Sequence, residues 1–352
     1  MARVGTRIAA GVRNGLLRPG PDPAYADGDD ASWMAIDWPS MTRTVALGDY
    51  AINVVDTGGD DKPVLVLLHG LSGCWQNWLL TIPAFMATHR CIAPDLPGFG
   101  RSRLPHGGVS IRGYARLVDE LCEALGVDGA VVAGSSMGGF VGAEVALSFP
   151  TRVEKLVLVS AAGLSIEYTR REPLLALARA LSLWSSRSVS YYERLIIRPR
   201  LRRGALQMFV RYPERLSLPL TWELIQGSGK PGFVHALDAL TSYSFRDRLP
   251  EIRIPALVVW GENDLLVPVG DAARFERLIG GPVQRVIFED TGHTPMVERP
   301  SRFNEVLASF LAGETRPEAD VSGVHGGAVQ DARAEHRAHG RRAIVDPGSA
   351  AA

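Results

Sequence analysis

Apolar residues in this chain gather in short, nearly unbroken runs, and longer stretches of helical spacing separate them. The runs at 63–69, 90–94, 130–135 and 153–160 have the character of strands covered on both faces, as a parallel sheet between helix layers requires. Residues 44–47 and 50–57 read as two strands around the Gly48-Asp49 turn, an antiparallel opening hairpin. Residues 111–126 carry Leu117, Leu121 and Leu125 at helical spacing, with Gly126 as terminator. From 164 to 250 the strand pattern stops and helical spacing takes over, as in Leu174, Leu177, Leu181 and Trp184. Strands return at 256–260 and 283–288, each followed by a helical segment. The pattern predicts an α/β protein. Its parts are an arm over 1–40, a core over 41–163 and 251–313, and a helical cap over 164–250 above the carboxyl edge of the sheet.

The stretch 314–352 breaks with the rest. It holds no Leu, Phe, Trp or Tyr, too little apolar area to offset its ordering entropy, and is expected to be disordered. Within the arm, 22–30 is acidic and turn-rich and reads as a linker. Residues 1–17 interleave Arg3, Arg7 and Arg13 with Val4, Ile8, Val12 and Leu16, without the continuous apolar stretch of a secretory signal. That spacing suits a basic amphipathic helix, resting on a lipid surface or packed on the protein body, and equally a frayed terminus.

With 352 residues, 46% hydrophobic and 22% charged, the chain has the composition of an ordinary globular protein. Its formal net charge of zero gives no general reason to expect a nucleic-acid partner. Cys74, Cys91 and Cys122 are odd in number and lack metal-ligand spacing, which points to free thiols in a reducing, cytoplasmic setting. No run of 18 apolar residues occurs, so no membrane-spanning helix is expected.

The chemistry concentrates at Gly134-Ser135-Ser136-Met137-Gly138, directly after an apolar run. A strand breaking into a serine framed by glycines predicts a tight strand-turn-helix corner with the hydroxyl of Ser136 clear of the backbone. Gly134 and Gly138 stand where a Cβ would collide with the neighbouring strand or helix, and the same frame selects Ser136 over Ser135. A serine hydroxyl needs a base. His293, in Thr291-Gly292-His293-Thr294 after the last predicted strand, falls in a loop at the same sheet edge. His325, His336 and His339 lie in the tail, His89 stands at the wrong end of a strand, and His106 and His235 have no supporting motif. The imidazole needs a carboxylate to fix its tautomer, and Asp264 just past the 256–260 strand is preferred over Glu262, which lies nearer the strand. Backbone N–H groups of Met137 and Leu71 are the candidate oxyanion donors, with His69 and Gly70 as structural parts of the Leu71 turn. No metal or organic cofactor is expected: no His/Cys/carboxylate cluster is visible, and the glycines near Gly98 follow no dinucleotide pattern.

Through His69-Gly70, Asp95-Leu96-Pro97-Gly98-Phe99-Gly100-Arg101-Ser102, Gly134 to Gly139, Asp264 and Gly292-His293, the chain resembles α/β-hydrolase-fold enzymes over roughly residues 44–312. The resemblance implies a mostly parallel eight-stranded sheet flanked by helices, a helical cap after the sixth strand, and a structural role for the Asp95 segment. Haloalkane dehalogenases and epoxide hydrolases of that family carry an aspartate where Ser136 stands, which argues against both. Three serine chemistries remain: ester or lipid hydrolysis through an acyl-enzyme, carbon–carbon bond hydrolysis of ring-cleavage products, and cofactor-free perhydrolysis. Carbon–carbon hydrolases commonly carry a tryptophan after the catalytic histidine, where this chain has Thr294. Hydrolysis of a small-molecule carboxylic ester with an apolar acyl group is therefore the first expectation. A ligand-binding receptor on the same fold is the non-enzyme alternative.

The predicted cap bears on the partner. Between 164 and 216 stand eleven arginines against four glutamates, a net charge of +7, interleaved with Leu, Ile, Trp and Phe. Such a surface suits apolar acyl chains and peripheral contact with an anionic membrane, or else is a solvated basic rim.

Overall fold

In a computed structural model of the chain, the described residues are 24–27, 32–165 and 197–314. The predicted amphipathic helix at 1–17, the tail from 315 and the first part of the cap, 166–196, lie outside them.

Among the described residues eight strands form one sheet: β1 (Thr42–Leu47), β2 (Tyr50–Asp56), β3 (Val64–Leu68), β4 (Arg90–Pro94), β5 (Ala130–Ser135), β6 (Val153–Val159), β7 (Ala256–Gly261) and β8 (Val283–Phe288). Their spatial order is 1-2-4-3-5-6-7-8. β1 and β2 form the antiparallel hairpin, β2 runs antiparallel to β4, and β3 through β8 are mutually parallel. Parallel strands buried on both faces must be apolar throughout, and β3 shows why. Leu65 and Leu67 point into one layer, with Trp78, Phe303 and Phe310, while Val66 and Leu68 point into the other.

That other layer holds α1 (Ile111–Ala124) and α2 (Met137–Ser148). The helical spacing read at 111–126 becomes the buried stripe Tyr114, Leu117, Val118 and Leu121, and the Ser110 hydroxyl caps α1 by accepting the Gly113 N–H at 3.0 Å.

After β6 the described chain includes α3 (Pro199–Leu206), α4 (Leu218–Leu224) and α5 (Gly232–Ser242) before it returns to β7. The two ends of this insertion are pinned to the core by buried carboxylates. Asp271, in α6 (Gly270–Leu278), accepts the Ser165 N–H at 3.0 Å and its hydroxyl at 2.6 Å. Glu144 of α2 accepts from the Tyr243 hydroxyl at 2.7 Å and from Arg248 at 3.0 Å. The chain then runs through β8 into α7 (Pro300–Leu311) on the Trp78 layer.

At the amino edge of the sheet, away from Ser136, Asp56 and Arg90 form a buried two-pronged pair, Nε to Oδ1 at 2.9 Å and Nη2 to Oδ2 at 2.8 Å. Burial works against the carboxylate. Arg90, the Gly58 N–H and Arg43 outweigh it and hold the pKa of Asp56 below its ordinary value. No helix among the described residues is long and apolar enough to cross a membrane.

Candidate active site

Parallel strands deliver their carboxyl ends to one edge, and the loops there are stitched across strands. The Ser136 N–H donates to Val159 O, Ser160 N–H to Val259 O, and Glu262 N–H to Phe288 O, each at 2.9 Å. The corners after β5, β6, β7 and β8 are thus tied side by side.

Ser136 sits between β5 and α2 with φ +53° and ψ −115°, a conformation that costs an L-residue energy and that the surroundings enforce. The enforcement is steric. A Cβ on Gly134 would lie 2.1 Å from Gly138 O, and one on Gly138 would lie 2.2 Å from Leu68 O. Both contacts are with backbone, which cannot yield. Ser135 is buried at the end of β5, whereas Ser136 is partly exposed.

Asp264 lies past the end of β7. Its Oδ1 accepts the N–H groups of Leu266 at 2.8 Å and Val267 at 2.9 Å, which fixes the carboxylate plane. Its Oδ2 accepts from His293 Nδ1 at 2.8 Å. That bond places the remaining lone pair of the neutral ring on Nε2. Glu262, the rejected competitor, instead receives the Asp290 N–H at 3.4 Å. Among the described residues, Ser136 Oγ has no hydrogen-bond partner, so the structure brings His293 to Asp264 and leaves the serine–imidazole bond open. Bonds of that kind commonly close only when substrate is bound.

The Leu71 turn is held from two sides. Gly70 O accepts from His69 Nδ1 at 2.8 Å and from the Gly73 N–H at 3.0 Å, while His69 Nε2 accepts the Leu96 N–H at 2.9 Å. Burial lowers the pKa of His69, against Asp95 and Gly70, so the ring is neutral and one tautomer serves both bonds. Because a trans peptide points its C=O and N–H in opposite directions, fixing Gly70 O also aims the Leu71 N–H. Gly70 packs on Ser136: a Cβ there would lie 3.2 Å from Ser136 Cβ. The Met137 N–H opens α2, where helix donors have no internal acceptor. Among the described residues, neither the Leu71 nor the Met137 N–H has an acceptor. Asp95 braces the adjoining loops by accepting from Trp75 N–H at 2.9 Å, Asn53 Nδ2 at 2.8 Å and Arg101 N–H at 2.9 Å.

Sequence reasoning passed over Glu298. Buried beneath the histidine loop, it accepts the Gly292 N–H at 2.9 Å and the Thr294 N–H at 3.1 Å, donors from the two residues that flank His293. Burial raises its pKa, opposed by these bonds and by those from Arg211 N–H and the Tyr25 hydroxyl. An acid five places after the histidine carries no periodic signal, and only tertiary closure shows its use.

The insertion reaches both halves of the site. Leu237 of α5 packs with Leu71 and Phe233, and the Thr294 hydroxyl donates to Phe209 O at 3.2 Å. Leu265 and Leu266, beside Asp264, and Phe209 are exposed. No group of three or more His, Cys, Asp or Glu side chains placed to hold a metal ion occurs among the described residues.

A strained serine corner at the carboxyl edge of such a sheet, with a paired histidine three strands away, defines a hydrolase of the serine type. The chain belongs to the alpha/beta hydrolase fold family, whose model matches residues 63–300. Among its relatives, a 2-hydroxy-6-oxo-2,4-heptadienoate hydrolase of Pseudomonas putida is 31% identical over 289 residues, covering 77% of this chain and 96% of the relative. A 2-hydroxy-6-oxo-6-phenylhexa-2,4-dienoate hydrolase of Comamonas testosteroni is 30% identical, over 75% of this chain and 92% of the relative. In fold, the chain is similar to a hydrolase from Pseudomonas aeruginosa, with a TM-score of 0.65 and 24% identity over 77% of this chain and 98% of the other.

Proposed function

We propose that the protein hydrolyses carboxylic esters with an apolar acyl group through an acyl-enzyme formed on Ser136. The observation that carries this reading is the His293–Asp264 pair at 2.8 Å, at the edge where the glycine-framed corner presents Ser136. In the first half-reaction Ser136 Oγ attacks the carbonyl carbon and its proton passes to His293 Nε2. Asp264 stabilises the imidazolium, and the N–H groups of Leu71 and Met137 receive the negative charge on the carbonyl oxygen. Collapse expels the alcohol oxygen, which takes the proton from Nε2. A water deprotonated by the same nitrogen then releases the acid. Each oxyanion donor is worth about 3 kcal/mol of transition-state stabilisation. Apolar Leu71, Phe233, Leu237 and Leu266 support a hydrocarbon acyl group.

A second reading, hydrolysis of a carbon–carbon bond in a dienoate ring-cleavage product, is favoured by the activities named for the relatives above. Thr294 in place of the tryptophan common after that family's histidine speaks for the ester. The test is a p-nitrophenyl ester series from acetyl to palmitoyl beside a 2-hydroxy-6-oxo-dienoate, with Ser136→Ala as control. Turnover of the dienoate with silence on every ester would replace the first reading by the second.

Contact with an anionic membrane is proposed for the same face. Ile197, Leu201, Met208 and Phe209 are exposed in a stretch that also carries Arg198 and Arg200. Co-sedimentation that rises with the anionic lipid fraction of vesicles is the expected result, and indifference to it would remove the idea.

A further inference from the structure

Residues 24–27 lie upstream of the segment matched by the family model, in the acidic stretch read above as a linker. They do more than connect. Tyr25 is buried, and its hydroxyl donates to Glu298 Oε2 at 2.8 Å while accepting the Tyr212 N–H at 2.9 Å. The Ala26 N–H donates to Glu298 O at 2.8 Å. The same carboxylate oxygen that receives Tyr25 also receives the Arg211 N–H at 2.8 Å and the Gly292 N–H. One buried group is therefore the meeting point of three segments far apart in sequence: the arm, the insertion and the loop of His293.

We infer that Tyr25 is a positioning residue for His293, acting through Glu298 and locking the insertion to the histidine loop. This role rests on the serine-hydrolase reading of the site, and the geometry is specific. A carboxylate offers about four lone-pair sites. Tyr25, Arg211 and Gly292 converge on Oε2 while the Thr294 N–H and hydroxyl take Oε1 at 3.1 and 3.4 Å, so removing the Tyr25 donor frees the carboxylate to rotate toward the others. Rotation moves the N–H groups of Gly292 and Thr294, the residues that flank His293. Burial, and then the charge of Glu298, push the Tyr25 phenol well above its ordinary range, so the hydroxyl is a permanent donor. The ring has a separate, structural use. Tyr212 meets it edge-on at 5.3 Å, and the guanidinium groups of Arg215 and Arg299 lie over it at 5.3 and 5.1 Å.

Tyr25→Phe removes the hydroxyl and keeps the ring, whereas Tyr25→Ala removes both. Two readouts on the full chain separate the possibilities. Labelling of Ser136 by a fluorophosphonate should slow on the order of tenfold in both variants, because misplacement of a catalytic base is costly even when small. Amide hydrogen exchange of the peptide containing 292–294 should accelerate in both, while Tyr25→Phe keeps most of the thermal stability that Tyr25→Ala loses. Phenylalanine restoring both labelling and exchange to within twofold of the original chain would overturn the inference and leave Tyr25 a packing residue. An original chain that fails to label would instead sink the serine-hydrolase reading. The exchange of 292–294 would still decide whether Tyr25 holds that loop.

Discussion

Asp264 divides its carboxylate between two tasks: one oxygen takes His293 Nδ1 at 2.8 Å and the other takes the N–H groups of Leu266 and Val267. The division makes Asp264→Asn informative. The asparagine carbonyl would stay with the two peptide donors, which turns its NH2 toward the histidine. Nδ1 must then accept, and the ring proton moves to Nε2, the atom proposed to receive the serine proton. The expected loss in kcat is on the order of 10⁴-fold with the fold intact. Steady-state kinetics beside far-ultraviolet circular dichroism checks it, and a variant retaining a tenth of the activity would show that Asp264 does not set the tautomer.

The serine corner should tolerate no side chain at its glycines. Gly138→Ala places a methyl 2.2 Å from Leu68 O, and Gly134→Ala places one 2.1 Å from Gly138 O. Either substitution is expected to lower stability by several kcal/mol and abolish activity, whereas Gly107→Ala, with open space around it, should change stability by less than about 1 kcal/mol. Denaturant midpoints of the three variants make the comparison.

His69 links stability to pH with a definite sign. Its pKa in the folded protein lies below the ordinary 6.5, chiefly through burial. As pH falls below that value the unfolded chain takes up a proton that the native ring refuses, so this group's contribution is full above it and declines toward acid. Imidazole nitrogen NMR should show His69 neutral, with the proton on Nδ1, at about pH 7, protonating only below the ordinary imidazole range. A ring already half protonated there would contradict the arrangement around Gly70.

At the opposite edge, Asp56 works in the usual carboxylate sense. Its depressed pKa supplies stability that is present above the unfolded value of 3.8 and lost as pH drops through the folded one. Asp56→Ala leaves Arg90 buried without that partner, and a cost of about 3–5 kcal/mol is expected, with little effect on kcat. Urea unfolding of the variant, read beside its ester kinetics, separates the two effects.

The central strands were legible because each reads as apolar on both faces, and β4 at 90–94 has the bounds its run announces. β8 is the instructive case: as the sheet edge it is only half buried, yet Val283, Val286, Ile287 and Phe288 still mark it. That Ser136, Asp264 and His293 fall in corners at one sheet edge was legible because tight corners demand glycine or a short loop, and those residues punctuate the chain. What stayed hidden was polar and long-range. Tyr25 and Glu298 stand 273 positions apart, and nothing about either residue forecasts the other. Burial of a tyrosine inside an acidic, turn-rich stretch also ran against the composition around it. Such a contact depends on which loops close over the sheet edge, and residue periodicity says nothing about that.

The insertion between β6 and β7 enters and leaves through two anchored stems, Ser165 on Asp271 and Tyr243 with Arg248 on Glu144. Between those stems the chain can diverge wherever it spares its ties to the histidine loop, the Arg211 N–H on Glu298 and the Thr294 hydroxyl on Phe209 O. A lineage built this way can adopt a new diet by rewriting its roof and keeping its hearth. The stems are therefore the natural seams for grafting one relative's selectivity onto another's chemistry.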